Sequence, residues 1–210
     1  MKSSELLKKN NLNNLILMSK ILTKFEHFIF YGTLLGMVRD KGIIHKDDDI
    51  DILVNKKHKK KTLEVIKKYK KLKINQKKSN SYFVQIINKI GNEKTFIDLY
   101  FYINKESNNF IEEKHNFLSS VNLPSHSIHI PKKMIFPIKN NKKYFNVKMP
   151  KKPKELCKFL YGKNWVKPMR KNSEYRMEII NHKPKLIERS LVGGFTRKIR
   201  LMISDQFKKT

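Results

Sequence analysis

Apolar residues recur at helical spacing along the first 27 positions. Leu6, Leu7, Leu12, Leu15, Ile16, Met18, Ile21, Leu22 and Phe25 predict an amphipathic helix over 4–27, with Asn11, Asn13 and Asn14 weakening its middle. The short apolar run FIFYG follows. It predicts a strand over Phe28 to Tyr31 that turns at Gly32 into a helix running from about Thr33 to Arg39 or Asp40. DIDILV, 49–54, predicts a second strand, and the lysine-rich stretch 56–72 a helix with a solvated basic face. SYFVQIINKI (81–90) and TFIDLYFYI (95–103) flank GNEK and predict a hairpin. From Asn104 to Pro150 the chain is polar and broken by Pro124, Pro131, Pro137 and Pro150. This segment reads as a loop-rich insertion with short extended pieces, SIHI and YFNVKM, the latter a last edge strand. A helix is predicted over 153–161, and Ile199, Met202 and Ile203 share one helical face near the end.

Composition changes the picture in two ways. With 210 residues and 39 % apolar content, the chain suits one principal domain, 1–170, with a basic helical extension, 171–210, packed on it. The formal net charge is +29, and of 47 basic residues only six are arginine. Lysine interleaved with Asn and Ile is a compositional bias, yet its charge attracts polyanions, so non-specific binding to nucleic acid, acidic glycan or anionic membrane is expected. Cys157, the sole cysteine, sits in the apolar-periodic ELCKFLYG and rules out a disulfide framework; it reads as a buried spectator. The amino terminus is interrupted by Lys and Asn and lacks a small-residue cleavage site. No apolar run approaches the roughly 20 residues of a membrane span. The expectation is a soluble, cytoplasmic protein.

Against that basic background, Asp47, Asp48, Asp49 and Asp51 crowd into IIHKDDDIDILV. On a strand Asp49 and Asp51 point one way while Ile50 and Ile52 point into the core. Two adjacent carboxylates repel unless a cation binds both. An exposed acidic turn is the alternative reading of DDD alone. Asp98 adds weight, because it is the one charge in the apolar strand TFIDLYFYI and shares a face with Phe96, Tyr100 and Tyr102. If that strand lies beside 49–54, three carboxylates converge as oxygen ligands suited to Mg²⁺ or Mn²⁺. Gly32 would permit a tight turn and Thr33 would cap the following helix, whose amides face an anion, with Arg39 as a nearby cation.

GTLLGMVRDKGIIHKDDDIDI resembles the signature of the LicD-type phosphocholine transferase and fukutin family, a branch of the nucleotidyltransferase superfold. FIDLYFY is similar to the family's later hydrophobic-Asp strand, and LCKFLYGKNWVKP (156–168) to its carboxyl-terminal segment. His45 and Lys46 stand where the family has proline and tryptophan. The resemblance implies an α+β nucleotidyltransferase-like fold, a small mixed β-sheet flanked by helices. It implies Mg²⁺- or Mn²⁺-dependent transfer of a phosphocholine- or phospho-alditol-type group from a CDP-linked donor to a glycan hydroxyl. Asp49 and Asp51 would hold the metal, and Asp98 would complete the site or accept the hydroxyl proton. Gly32, Thr33, Arg39 and Asp47 would form the substrate side. The alternatives are a nucleotidyltransferase acting on RNA or a small molecule, and a non-catalytic basic nucleic-acid-binding protein on the same fold.

Overall fold

The computed structural model describes residues 3–90, 93–105, 110–114, 120–124, 132–138, 143–168, 175–181 and 183–188. Its elements are α1 (Ser3–Ile21), β1 (His27–Ile29), α2 (Tyr31–Arg39), β2 (Asp49–Asn55), a 3-10 turn (Lys56–His58), α3 (Lys59–Lys67), β3 (Leu72–Ile74), β4 (Phe83–Ile90) and β5 (Glu93–Lys105). Then come β6 (Phe110–Lys114), β7 (Ser120–Pro124), β8 (Lys132–Ile138), β9 (Lys143–Met149), α4 (Pro153–Tyr161), β10 (Tyr175–Ile180) and β11 (Lys183–Glu188). This is the α+β fold with a mixed sheet flanked by helices.

The sheet runs β1-β2-β5-β4-β3, with β6 and β7 continuing from the far end of β5. Among the described residues only the β2–β5 pair is parallel; β1 pairs antiparallel with β2, and β4 with β5 and β3. The parallel register sets Ile50, Ile52 and Val54 beside Ile97, Leu99 and Phe101. All six are buried, on the face that α1 and α3 cover. The other face carries Asp49 beside Phe96, Asp51 beside Asp98 and Leu53 beside Tyr100. Because side chains alternate along each strand, apolar packing on the first face places the carboxylates together on the second.

Several boundaries differ from the sequence reading. Helix α1 stops at Ile21 because the Thr23 hydroxyl donates to the Ser19 and Lys20 carbonyls and closes the last turn. The expected helix over 56–72 is shorter. Its buried stripe, Thr62 and Ile66, would continue at exposed Tyr69 and Lys70, whereas Leu72 is buried, and the chain turns to make β3 instead. Residues 104–150 hold more strand than expected. YFNVKM lies in β9, which pairs with β8 as a separate two-stranded sheet rather than at the edge of the main one. SIHI lies outside the described residues. The helical reading of 171–210 gives way to the β10–β11 hairpin at 175–188, where alternation along YRMEII and KPKLIE outweighs helical spacing. Ile199, Met202 and Ile203 lie outside the described residues. Among the described residues no helix is long and apolar enough to cross a membrane.

Gly36 determines how the chain returns from α2 to β2. Its carbonyl accepts from the N–H of Asp40 at 2.8 Å and of Gly42 at 3.3 Å. A Cβ on Gly36 would stand 2.6 Å from the Gly42 carbonyl oxygen and 2.9 Å from Ile44 Cγ1. Gly36→Ala should therefore destabilise the fold by about 1–3 kcal/mol through overpacking. Urea unfolding checks this; a midpoint equal to the parent's would mean that the 40–44 loop yields freely.

Candidate active site

Carboxylate oxygens of Asp49, Asp51 and Asp98 lie within 4.8 Å of one another, and Asp47, Asp48 and Asp49 form a second such group. Asp51 and Asp98 are buried, Asp47 and Asp49 half-buried, and Asp48 exposed. Burial raises the Asp51 carboxyl well above the ordinary range, and Asp49, Asp98 and Asp47 raise it further. Burial likewise pushes Asp98 up to about 7; a hydrogen bond from Gln85 opposes the shift, while Asp49 and Asp48 add to it. Burial first, and like charge second, hold these carboxyls up, and a cation shared among them would relieve both. Three oxygen donors at this separation suit a hard divalent ion.

Helix α2 meets the cluster differently from the sequence reading. The left-handed residue at the strand-to-helix turn is Tyr31, with φ 34°, and Gly32 is already helical. Gly32 matters for its lack of a side chain, since a Cβ there would stand 3.1 Å from Asp47 Oδ2 and 3.2 Å from Asp51 Oδ2. Thr33 is not the cap, a position held by Phe30 without a side-chain bond. The Thr33 hydroxyl instead accepts from the Asp51 N–H at 2.8 Å, and its own N–H faces Asp51 Oδ2 at 3.4 Å. The amino end of α2 thus addresses the protein's own carboxylate. Arg39 forks onto Asp40, with Nε and Nη2 each 2.7 Å from a carboxylate oxygen.

Residues that the sequence did not single out complete the surroundings. Gln85, opposite Asp98 on β4, donates Nε2 to Asp98 Oδ1 at 3.1 Å and accepts from Asn75 Nδ2 at 2.8 Å. Period-2 alternation in SYFVQIINKI marks Gln85 as a polar inward position, the one signal available for it. Tyr100 stacks edge-on to Tyr31 at 5.0 Å and lies 5.1 Å from Phe83, forming an aromatic wall beside the carboxylates. Tyr161, at the end of α4, is raised by burial and then by Asp51, and so stays protonated. His45 is exposed. Cys157 is free and buried, and burial pushes its thiol up to about 12, so it is inert.

Residues 24–153 match the family model described as LicD/FKTN/FKRP, nucleotidyltransferase domain. Among solved structures, one of ANT(2")-Ia in complex with adenylyl-2"-tobramycin is similar with 12 % identity and a TM-score of 0.39, covering 67 % of this chain and 68 % of that one. No protein of curated function matches the chain.

The raised carboxyls give stability a pH signature. Native Asp98 keeps its proton up to about 7, while the unfolded group loses it near 3.8. Across that window the native state binds more protons, so this group's contribution to stability falls as pH rises and is fully lost above about 7. Asp98→Asn should therefore flatten the decline in melting temperature between about pH 4 and pH 8, and Mn²⁺ should restore stability to the parent at the upper end. Differential scanning fluorimetry of the two proteins reads both effects; parallel pH profiles would refute the assignment. Asp49→Asn and Asp51→Asn should each abolish Mn²⁺ uptake in calorimetry while leaving the protein folded.

Proposed function

The chain belongs to the LicD/FKTN/FKRP nucleotidyltransferase-domain family, and on that premise we propose a metal-dependent transfer of a substituted phosphate from a CDP-linked donor to a glycan hydroxyl. The convergence of Asp49, Asp51 and Asp98 carries this reading. Asp49 and Asp51 would hold Mg²⁺ or Mn²⁺, and Asp98 would either complete the oxygen set or accept the acceptor hydroxyl's proton. When bound, the ion offsets the charge of the diphosphate and of the departing nucleotide phosphate.

The acceptor hydroxyl oxygen forms a bond to the phosphorus that bears the phosphocholine- or phospho-alditol-type substituent. The bond from that phosphorus to the bridging oxygen breaks, and cytidine monophosphate leaves with the electron pair. The hydroxyl proton passes to a carboxylate. Asp98 is the candidate for that task only where it does not ligate the ion, since it is then that burial holds its carboxyl up at about 7, near what a general base at neutral pH needs. Gln85 keeps Asp98 Oδ1 occupied, which directs Oδ2 toward ion or proton. Gly32 leaves room between α2 and the carboxylates, and Asp47 supports the cluster from the loop ahead of β2. Arg39, paired with Asp40, would hold the donor's far end or brace the aspartate loop. Residues 1–170 form the catalytic unit in this reading, and β11 packs against α4. A nucleotidyltransferase acting on RNA is the second reading, supported by the net charge of +29.

A thermal-shift screen with Mn²⁺ separates the two. Stabilisation by CDP-choline, CDP-ribitol or CDP-glycerol above that by nucleoside triphosphates is expected, and the reverse order would favour the nucleotidyltransferase. With the active donor, Arg39→Ala should cost at least roughly tenfold in KM or kcat, about 1.4 kcal/mol. Asp40→Ala, which keeps the guanidinium, should cost less than about threefold. Steady-state kinetics of Arg39→Ala within about twofold of the parent would remove this residue from the donor site.

A further inference from the structure

Helix α1 lies wholly ahead of the residues that match the family model, yet it reaches the carboxylate strands. Asn10, Asn11 and Asn14 are buried, at 3 %, 0 % and 0 % exposure, where a core-facing helix ordinarily carries apolar side chains. Asn11 Nδ2 donates to the Asp47 carbonyl at 2.8 Å. Three residues on, Asn14 Nδ2 donates to Thr95 Oγ1 at 2.8 Å, while Asn14 Oδ1 accepts from Asn88 Nδ2 at 2.7 Å. The Thr95 hydroxyl passes the chain on to the Asn88 carbonyl at 3.2 Å. Asn11 Oδ1 has no hydrogen-bond partner among the described residues, so this amide serves at its position as a donor alone.

The two contacts fall at matched places. Asp47 opens the segment that carries Asp49 and Asp51, and Thr95 stands on β5 three residues before Asp98. Between them the backbone bond from Phe96 N–H to the Asp48 carbonyl, 3.0 Å, begins the parallel ladder. The carboxylates project from the other face of the sheet, where like charges push β2 and β5 apart. We propose that Asn11 and Asn14 are positioning residues, two amides on one helix that pin the Asp47 carbonyl and the Thr95 hydroxyl and so set the spacing of the carboxylates on β2 from the one on β5. Hydrogen-bonding partners of this kind, one step removed from a metal ligand, govern ligand geometry and commonly tune affinity by about 10–100-fold.

The metal arm of the test rests on the metal-dependent reading above, and a second arm does not. Asn11→Leu removes the donor while keeping the branched side-chain skeleton, Asn11→Ala removes it with a cavity, and Asn13→Ala alters an exposed asparagine of the same helix as control. Both Asn11 variants should fold, bind Mn²⁺ at least roughly tenfold more weakly in calorimetry, and show faster hydrogen–deuterium exchange confined to peptides covering 44–51. The control should match the parent in both. Affinity within about twofold together with unchanged exchange at 44–51 would overturn the proposal, as would acceleration spread evenly over the whole sheet. If the parent itself takes up no Mn²⁺, the metal reading fails and exchange decides alone: local acceleration supports the positioning role and its absence overturns it.

Discussion

Asp51 and Asp98 sit opposite each other on neighbouring parallel strands, with Asp49 one step along, and their repulsion has to be opposed by what is packed around them. Backbone pairing of β2 with β5 supplies the first restraint. The reciprocal contact of Thr33 with Asp51 ties α2 to the same point, and Gln85 holds Asp98 from β4. On the opposite face the asparagines of α1 reach the loop and strand ends from below. Four restraints, drawn from five elements, therefore converge on this cluster. Such a cluster is stable in its ionised form only when a cation shares it.

The strands that bear the carboxylates were legible because their chemistry and their period agree. DIDILV and TFIDLYFYI each set one kind of side chain against another every second residue, and burial leaves such a pattern a single arrangement. The strand-to-helix turn was legible in place but not in detail. Glycine is the residue that ordinarily takes positive φ, yet Tyr31 takes it here, held by its contacts with Phe30 and Tyr100, while Gly32 is needed for clearance. The asparagines of α1 were legible only as poor helix formers. Propensity measures their cost to an isolated helix and contains nothing about a carbonyl 36 residues away that needs a donor. The β6 and β7 strands escaped notice because FIEEK has no alternation and that of SVNLP runs only four residues before Pro124.

Charge is distributed to complement this arrangement. Between Lys56 and Lys78 there are twelve lysines against the single acid Glu64, most of them exposed around α3 and β3. That surface lies largely on the far side of the sheet from the carboxylates, although Lys78 acts to lower the Asp98 carboxyl. A basic exterior raises the local concentration of anionic substrates, while the acidic face turns them away unless a cation is present. On the function proposed above, binding of an anionic donor and of the ion would thereby be linked through simple electrostatics.

The single parallel pair also governs the order in which the molecule can assemble. Antiparallel neighbours such as β3, β4 and β5 are joined by short turns and can form while the remainder of the chain is still open. Residues of β2 and β5 meet only after α3 and the whole β3–β4 excursion have been enclosed, so the closure entropy of that long loop is spent before the pairing returns anything. Closing that loop, which brings the carboxylates together, therefore costs more entropy than joining β4 to β5.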